Sequence, residues 1–362
     1  MTRLRTLASL LCILIFLVYI SDWTYPPNVV HTKTNYSRLY HDYGNIVDIR
    51  IIVMAFNRPK SLEKCLRSFQ NVATDGLRVS LEVWIDRDQR TNLIDLDTLD
   101  VALDFRWRHG PINVWVHGRH VGLYGQWLYT WRPRVADGLV SMSELALFVE
   151  DDVDVSVYGL RWLYAIHGHL QQRDDVACYT LQDENVMLAS GYSKLDQDIA
   201  KPSDTPVYLY RIPGSWAMAP HPEKWLRFQD WYETARIDDG FHPYVKEAPL
   251  NTKWYKQLEK KNRQDTMWTM WFIFFSNKEL LFCAYSNLPT YTGRSDVSLS
   301  ANRKEVGLHY TVSEQTGKKV PVLLTKWNAN FLQFPKEPAM YDYTGKRLDP
   351  YVSARYRDDY RH

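Results

Sequence analysis

Short continuous apolar runs alternate along the chain with stretches of helical period. Residues 49–56 (IRIIVMAF) form a run of the kind buried on both faces of a parallel sheet. Asn57-Arg58-Pro59 interrupts it, and Ser61 is the expected cap of a helix with Leu62, Cys65, Leu66 and Phe69 on one face. Val79–Ile85 (VSLEVWI) reads as a second strand and 93–105 as a helix. Residues 112–116 (INVWV) read as a third strand, 123–131 as a helix and 145–149 (LALFV) as a fourth strand. Downstream, 156–172 reads as a helix, 176–181 and 207–212 as strands, 222–232 as a helix opened by Pro222, and 280–285 as a strand. Asp265 is the expected N-cap of an apolar helix, TMWTMWFIFF. Such alternation predicts an α/β fold with a doubly wound, Rossmann-like mixed sheet.

All four leading strands end in polar clusters: Asn57/Arg58, Asp86/Asp88, His117/Arg119/His120 and Glu150/Asp151/Asp152. In open α/β sheets the ligand crevice lies outside the carboxyl ends of the strands. One polar strand end means little, because every strand exits to solvent. Four of them, carrying both cations and carboxylates, describe a site for a charged ligand.

Composition narrows the class. The 362 residues carry 44 Lys+Arg against 42 Asp+Glu, a net charge of +2, which disfavours a general nucleic-acid binder. Hydrophobic residues make up 45% and charged ones 24%, an ordinary globular balance. The 14 Trp and 24 Tyr suit either a filled core or the stacking of sugars and bases. Four cysteines are too few for a disulfide scaffold. Cys12 lies in the N-terminal apolar run, so Cys65, Cys178 and Cys283 leave room for at most one disulfide, with no pairing specified.

Arg3 and Arg5 precede an uncharged run at 6–21 (TLASLLCILIFLVYIS), closed by Asp22. No small-x-small cleavage site follows, and Tyr19, Trp23 and Tyr25 fall where an interfacial aromatic belt belongs. A retained transmembrane anchor is favoured over a cleaved signal peptide, with the remainder of the chain lumenal in either case. The expected organisation is a cytosolic tail at 1–5, an anchor at 6–21 and a short stem at 22–48, which carries the sequon Asn35-Tyr36-Ser37. The segment 314–362 has little pattern and reads as a C-terminal tail.

The segment FVEDDVDV holds the main candidate chemistry. Three carboxylates directly after a buried strand repel one another, and a hard divalent cation is the usual remedy. Mn²⁺ or Mg²⁺, held by one or two carboxylates plus substrate phosphates, fits so sparse a ligand set. Asp152 is the first-choice metal ligand, with Glu150 and Asp151 binding a ribose or shaping the site. Asp154 is expected at a helix start or in solvent. The bland alternative is a solvated loop whose acids favour a helix N-terminus.

Taken together, these features resemble a GT-A glycosyltransferase. The strand, the Asn-Arg turn, the Asp-ending second strand, the Gln126-Trp127 helix and the apolar strand into Glu150-Asp151-Asp152 carry the likeness. FVEDDVDVS in particular resembles the Golgi β-1,2-N-acetylglucosaminyltransferases of the alpha-mannoside and O-mannosyl types. The order continues through Pro213-Gly214-Ser215-Trp216 and Leu288-Pro289 to Gly293-Arg294-Ser295-Asp296-Val297-Ser298. The resemblance implies a Golgi type II membrane protein that transfers a sugar from a UDP-sugar to a glycan or glycoprotein acceptor with inversion and Mn²⁺. N-acetylglucosamine is its first candidate sugar. It divides the chain into a nucleotide-sugar-binding half at 49–155 and an acceptor-binding half at 156–313. It also implies a nucleotide-contacting Arg58, a uracil-recognising Asp86, a metal-binding Asp152 and a catalytic base near Asp265. The chain departs at that last point, reading Gln264-Asp265-Thr266-Met267-Trp268 with a single Asp.

Inversion needs a carboxylate that takes the proton of the attacking hydroxyl. Asp265 is the first candidate and Asp239, in Asp238-Asp239-Gly240, the alternative, with a plain turn competing for the second. Asn57 and His120 complete the donor-side candidates, and Arg294 is a candidate diphosphate clamp on a loop. Trp216 either stacks on an acceptor sugar or fills the core. His309 is a further possible metal ligand, with a structural histidine the blander reading. Two other functions fit parts of the pattern: a non-catalytic lectin-like protein that keeps the fold, and a metal-dependent phosphohydrolase, for which a two-metal His/Asp cluster is missing.

Overall fold

The computed structural model describes residues 28–34, 36, 46–182, 206–288, 292, 296–305 and 320–348. The segment at 6–21, the sequon residue Asn35, Arg294 and His309 lie outside the described residues. Among the described residues no helix is long and apolar enough to cross a membrane.

The leading elements are β1 (Val29–Lys33), β2 (Ile49–Ala55), α1 (Pro59–Ser68), β3 (Val79–Ile85), α2 (Leu96–Asp104), β4 (Ile112–His117) and α3 (Gly122–Tyr129). A small hairpin of β5 (Val135–Ala136) and β6 (Leu139–Val140) precedes β7 (Leu145–Glu150) and β8 (Val153–Val155). Then come α4 (Gly159–Leu170), β9 (Val176–Thr180), β10 (Val207–Tyr210), β11 (Met218–Pro220), α5 (Pro222–Ala235) and α6 (Pro249–Glu259). A 3₁₀ turn (Gln264–Thr266), α7 (Thr269–Lys278), β12 (Phe282–Ser286), β13 (Val297–Ser298), β14 (Ser300–Asn302), β15 (Val322–Leu323) and β16 (Ala339–Tyr341) complete the described chain.

Ten strands form one mixed sheet in the order β1-β4-β3-β2-β7-β11-β9-β12-β10-β16. The pairs from β1 through β7 are all parallel. β11 then runs antiparallel between β7 and β9. The α/β mixed-sheet expectation is met. Within the stretch read as stem, Val29–Lys33 pairs with β4 as the edge strand of this sheet.

Alternation along the strands builds a core on each face. Ile49, Ile51 and Val53 pack with Leu62, Leu66 and Trp162 on one side. Ile52 and Met54 pack with Trp84, Trp127, Phe148 and Trp225 on the other. Two-sided burial is why these strands read as unbroken apolar runs. Six of the largest fully buried side chains are tryptophans, so the tryptophan enrichment mostly fills the core.

Several local expectations are corrected. Arg58, not Ser61, occupies the N-cap position of α1, and Pro59 opens that helix. Ser61 sits inside the helix and donates to the Asp151 carbonyl at 3.0 Å. Asp265 does not cap α7: it lies in the 3₁₀ turn, and Trp268 holds the cap position. Asp154 lies in β8 rather than at a helix start, paired with Arg303. Cys178 and Cys283, in register on the parallel neighbours β9 and β12, form a disulfide with Cα atoms 4.6 Å apart. Cys65 is a buried free thiol.

One charged group is buried inside the strand that reads as apolar. Arg50 is only 1% exposed, and it pairs with Glu82 on β3 and with Glu144, which lies 3.2 Å away. Trp84 Nε1 donates to Glu82 at 2.9 Å and Trp131 Nε1 to Glu144 at 3.2 Å, so the network is hydrogen-bonded on all sides. Removing one member leaves an uncompensated buried charge. Arg50→Ala is therefore expected to cost about 3–5 kcal/mol in urea unfolding. A loss under about 1 kcal/mol would show that the two glutamates are neutralised by other means.

Candidate active site

β7 delivers Glu150 at its last position, and the chain turns through Asp151 and Asp152 into β8. All three carboxylates are buried, Asp152 at 2% exposure and Glu150 at 9%. The Asp151 amide donates to the Met54 carbonyl at 3.1 Å, which ties the turn to the end of β2. Arg58, from the start of α1, reaches across that gap. Its guanidinium pairs with Asp151 and lies 3.3 Å from Asp152. With 26% of its side chain exposed, Arg58 is the part of the cluster that meets solvent.

Sequence reasoning missed the second half of the support. β14 pairs antiparallel with β8, placing Asn302 opposite Val153. Asn302 Nδ2 then donates to Asp152 Oδ1 at 3.2 Å. Arg303 donates its amide to the Asp152 carbonyl at 2.9 Å and its Nη2 to the Asp151 carbonyl at 2.6 Å. The same guanidinium pairs with Asp154 and with Glu305 at 2.7 Å. The only signal for these residues was the polar segment SANRKE following Val297-Ser298-Leu299, a pattern many loops share.

The electrostatics follow from burial. Desolvation, then repulsion from Asp152, pushes Glu150 up to about 7. Desolvation also pushes Asp151 up to about 7, even with Arg58 beside it. Burial works against the Arg58 charge, but Asp151 and Asp152 outweigh it and raise its pKa above the ordinary value. The cluster therefore favours taking up a further positive charge, a proton or a cation, beside its one solvent-facing guanidinium.

These groups fit a hard divalent cation that arrives with its own ligands. Oxygen donors on buried carboxylates suit Mn²⁺ or Mg²⁺. They do not form a ready-made cage: among the described residues no group of three or more His, Cys, Asp or Glu is arranged to hold a metal. Asp152 would hold the cation, and the remaining positions would fall to diphosphate oxygens and water.

The other predicted residues separate into three groups. Asn57 is exposed directly before Arg58 and borders the cluster. Asp86 is buried, and its carboxylate accepts the amides of Val121 and Gly122, both at 2.9 Å, so it anchors the start of α3. His120 stands beside it, with Nδ1 3.1 Å from that carboxylate and 2.6 Å from the Arg87 carbonyl. His117 is fully buried against Gln126 and Tyr36, and desolvation depresses its pKa to about 4.

Asp265 is exposed and reaches the cluster only through aromatic rings. Trp268 stacks on Trp127 at 4.2 Å, and Trp127 Nε1 donates to Glu150 at 3.4 Å. Tyr124 fixes the turn around Asp265 by donating to the carbonyls of Gln264 and Met267. Asp239 lies exposed in a turn closed by Asp238, whose carboxylate accepts the Gly240 amide at 2.9 Å. Nothing ties that turn to the acid cluster among the described contacts. Trp216 is half-buried; Gln182 receives its amide at 3.1 Å, and Ser300, on the β14 strand that braces Asp152, donates to its carbonyl at 2.9 Å.

The raised carboxyls make a pH prediction. The fold favours their protonated forms, so the stability they contribute is fully present below about pH 4 and is lost as pH rises to about 7. Asp151→Asn removes one such group. Urea unfolding across this range should show a shallower decline for the variant than for the wild type. His117 contributes the opposite slope equally to both and cancels. Parallel profiles would contradict the assignment.

No protein-family model matches the chain, and no curated protein matches its sequence. Similar solved structures include a galactosyltransferase, LgtC, in complex with donor and acceptor sugar analogues. That match has 15% identity and a TM-score of 0.32, covering 66% of this chain and 73% of that one. Another is the mannosyltransferase PcManGT from Pyrobaculum calidifontis in complex with GDP-Man and Mn²⁺. It has 11% identity and a TM-score of 0.32, covering 74% of this chain and 81% of that one. Likenesses of this size assign neither a family nor a reaction.

Proposed function

We propose that the chain is a GT-A-type glycosyltransferase that moves a sugar from a UDP-sugar to a glycan or glycoprotein acceptor with inversion. N-acetylglucosamine is the first candidate sugar. One observation carries the reading: a buried Glu150-Asp151-Asp152 turn at the carboxyl end of a central parallel strand, with the partly exposed Arg58 guanidinium across it. Strand order supports it further, because β3, β2 and β7 end side by side where such sheets bind ligands. The Cys178–Cys283 disulfide supports an oxidising, lumenal setting, consistent with a Golgi type II protein anchored by 6–21.

In this reading Asp152 would hold a divalent cation, which when bound would supply positive charge to offset that developing on the leaving nucleotide. Arg58, with 26% of its side chain exposed, turns from Asp151 to the donor's diphosphate, whose oxygens pair bidentately with its guanidinium. Asn302 and Arg303 keep the acid turn from shifting when Arg58 leaves it. The base, Asp265 before Asp239, accepts the acceptor hydroxyl proton as the oxygen attacks the anomeric carbon. The bond from that carbon to the diphosphate oxygen breaks, and nucleoside diphosphate departs. Trp216 offers a partly exposed ring for the acceptor sugar.

Nucleotide release (UDP, GDP or CMP) from a panel of UDP-, GDP- and CMP-sugars, with mixed glycan acceptors and Mn²⁺, tests this. Asp152→Asn should lower kcat/KM by about 10²–10³-fold, the scale of losing one charge-stabilising group, in a variant that remains folded. Asp265→Asn should lose transfer while keeping donor binding. Full turnover in Asp152→Asn would remove the acid turn from the reaction. Glycan binding with no nucleotide dependence would favour the lectin-like alternative.

A further inference from the structure

α6 presents a second site that the acid cluster does not use. A cavity of about 490 Å³ runs along this helix, lined by Lys246, Lys253, Lys256 and Lys260, with Thr252 and Gln257 between them. All four lysines are exposed. Lys253, Lys256 and Lys260 fall at helical spacing on one face, while Asn251 and Tyr255 are buried on another. No carboxylate lines the cavity. Glu259, the one acid on α6, is directed elsewhere, to His242 at 2.8 Å and to the Tyr244 hydroxyl.

The charge is local. Residues 246–263 hold six basic groups against two acidic ones, in a chain whose net charge is only +2. Ammonium groups gathered around one groove repel each other and raise a positive potential over it. The wall is fixed: Thr252 Oγ1 donates to the Val245 carbonyl at 2.8 Å, and Lys256 Nζ sits 4.3 Å from the Tyr244 ring. The helix that carries the groove leads to the candidate base. α6 runs through residues 260–263 into the 3₁₀ turn holding Asp265, and Tyr255 of α6 is within electrostatic reach of that carboxylate.

We infer that the α6 groove binds an anionic carbohydrate, through sulfate, phosphate or carboxylate groups several sugar units from the reacting hydroxyl. The placement of the reacting end rests on the glycosyl-transfer reading; the groove's affinity for an anionic sugar does not. Its lysines select acceptors by charge, and the selection weakens with salt.

The test is calorimetric titration of the whole protein with a heparin-derived hexasaccharide at low and high salt, with maltohexaose as the neutral comparison. The wild type should bind the sulfated sugar, more weakly in high salt, and ignore the neutral one. K253Q/K256Q/K260Q should bind about tenfold more weakly, the sum of several exposed ion pairs. K278Q/K326Q/K336Q, which removes three exposed lysines elsewhere, should bind as the wild type does. Equal loss in both triple variants, or no binding by the wild type, would overturn the inference. So would binding to phosphatidylserine vesicles through these lysines with none to the sulfated sugar. The melting-temperature response to UDP and Mn²⁺ should be the same in the wild type and both variants. Its absence from the wild type would count against the transferase reading alone, since sugar binding at α6 is measured separately.

Discussion

Three buried carboxylates on one turn must be held together against their own repulsion, and the middle of this structure is organised around doing so. Arg58 arrives from the start of α1, Asn302 from the end of β14 and Arg303 from just beyond it, and Trp127 from α3. Each contacts a different part of the Glu150-Asp151-Asp152 turn. Segments some 90 to 150 residues apart in sequence thus meet at one point. Arg303 serves the backbone carbonyl and the flanking Asp154, while Arg58 serves the side chains and keeps a solvent-facing edge. A guanidinium brace that is 12% exposed and one that is 26% exposed have different uses. The first sets the shape of the turn, and the second can exchange its carboxylate for a ligand's oxygen atoms.

Aromatic packing extends that organisation. Phe148, inside β7, and Trp268, before α7, both stack on Trp127, and Trp225 meets Phe148 and Trp268. The turn bearing Asp265 is thereby fixed relative to Glu150 through close-packed rings, with the Tyr124 hydroxyl bonded to the turn and Trp127 Nε1 to Glu150. Interiors packed this densely transmit small displacements poorly tolerated by a site. α6 joins the same core through Tyr255, so the basic groove and the acid turn are two faces of one packed unit.

The parallel half of the sheet was legible because two-sided burial writes itself as unbroken apolar runs, and the polar residues after each run marked the strand ends where the proposed site lies. Arg50 escaped notice for the same reason: one cation inside IRIIVMAF does not disturb the pattern, although two buried glutamates depend on it. The second half was less legible. Nothing in the order of elements foretells that β11 inserts antiparallel between β7 and β9, or that Val29–Lys33 closes the far edge. Asn302 and Arg303 act through a three-residue strand, too short for periodicity to register. Asp86 ended a strand as expected, yet its oxygens serve the amides that open α3, a partnership set by how β3 and β4 lie side by side. The disulfide needed the register of β9 against β12, which spacing along the chain does not encode.

The central claim is that the acid turn and Arg58 form one site for a nucleoside diphosphate and a divalent cation together. The direct measurement is the affinity for UDP across a series of Mn²⁺ concentrations, with the reciprocal titration of Mn²⁺ across UDP. The account predicts that each ligand tightens the other by the same factor, as linkage requires, at least about fivefold, and that Asp152→Asn abolishes the coupling. UDP and Mn²⁺ binding that are independent of each other, or coupling that survives in the variant, would contradict it.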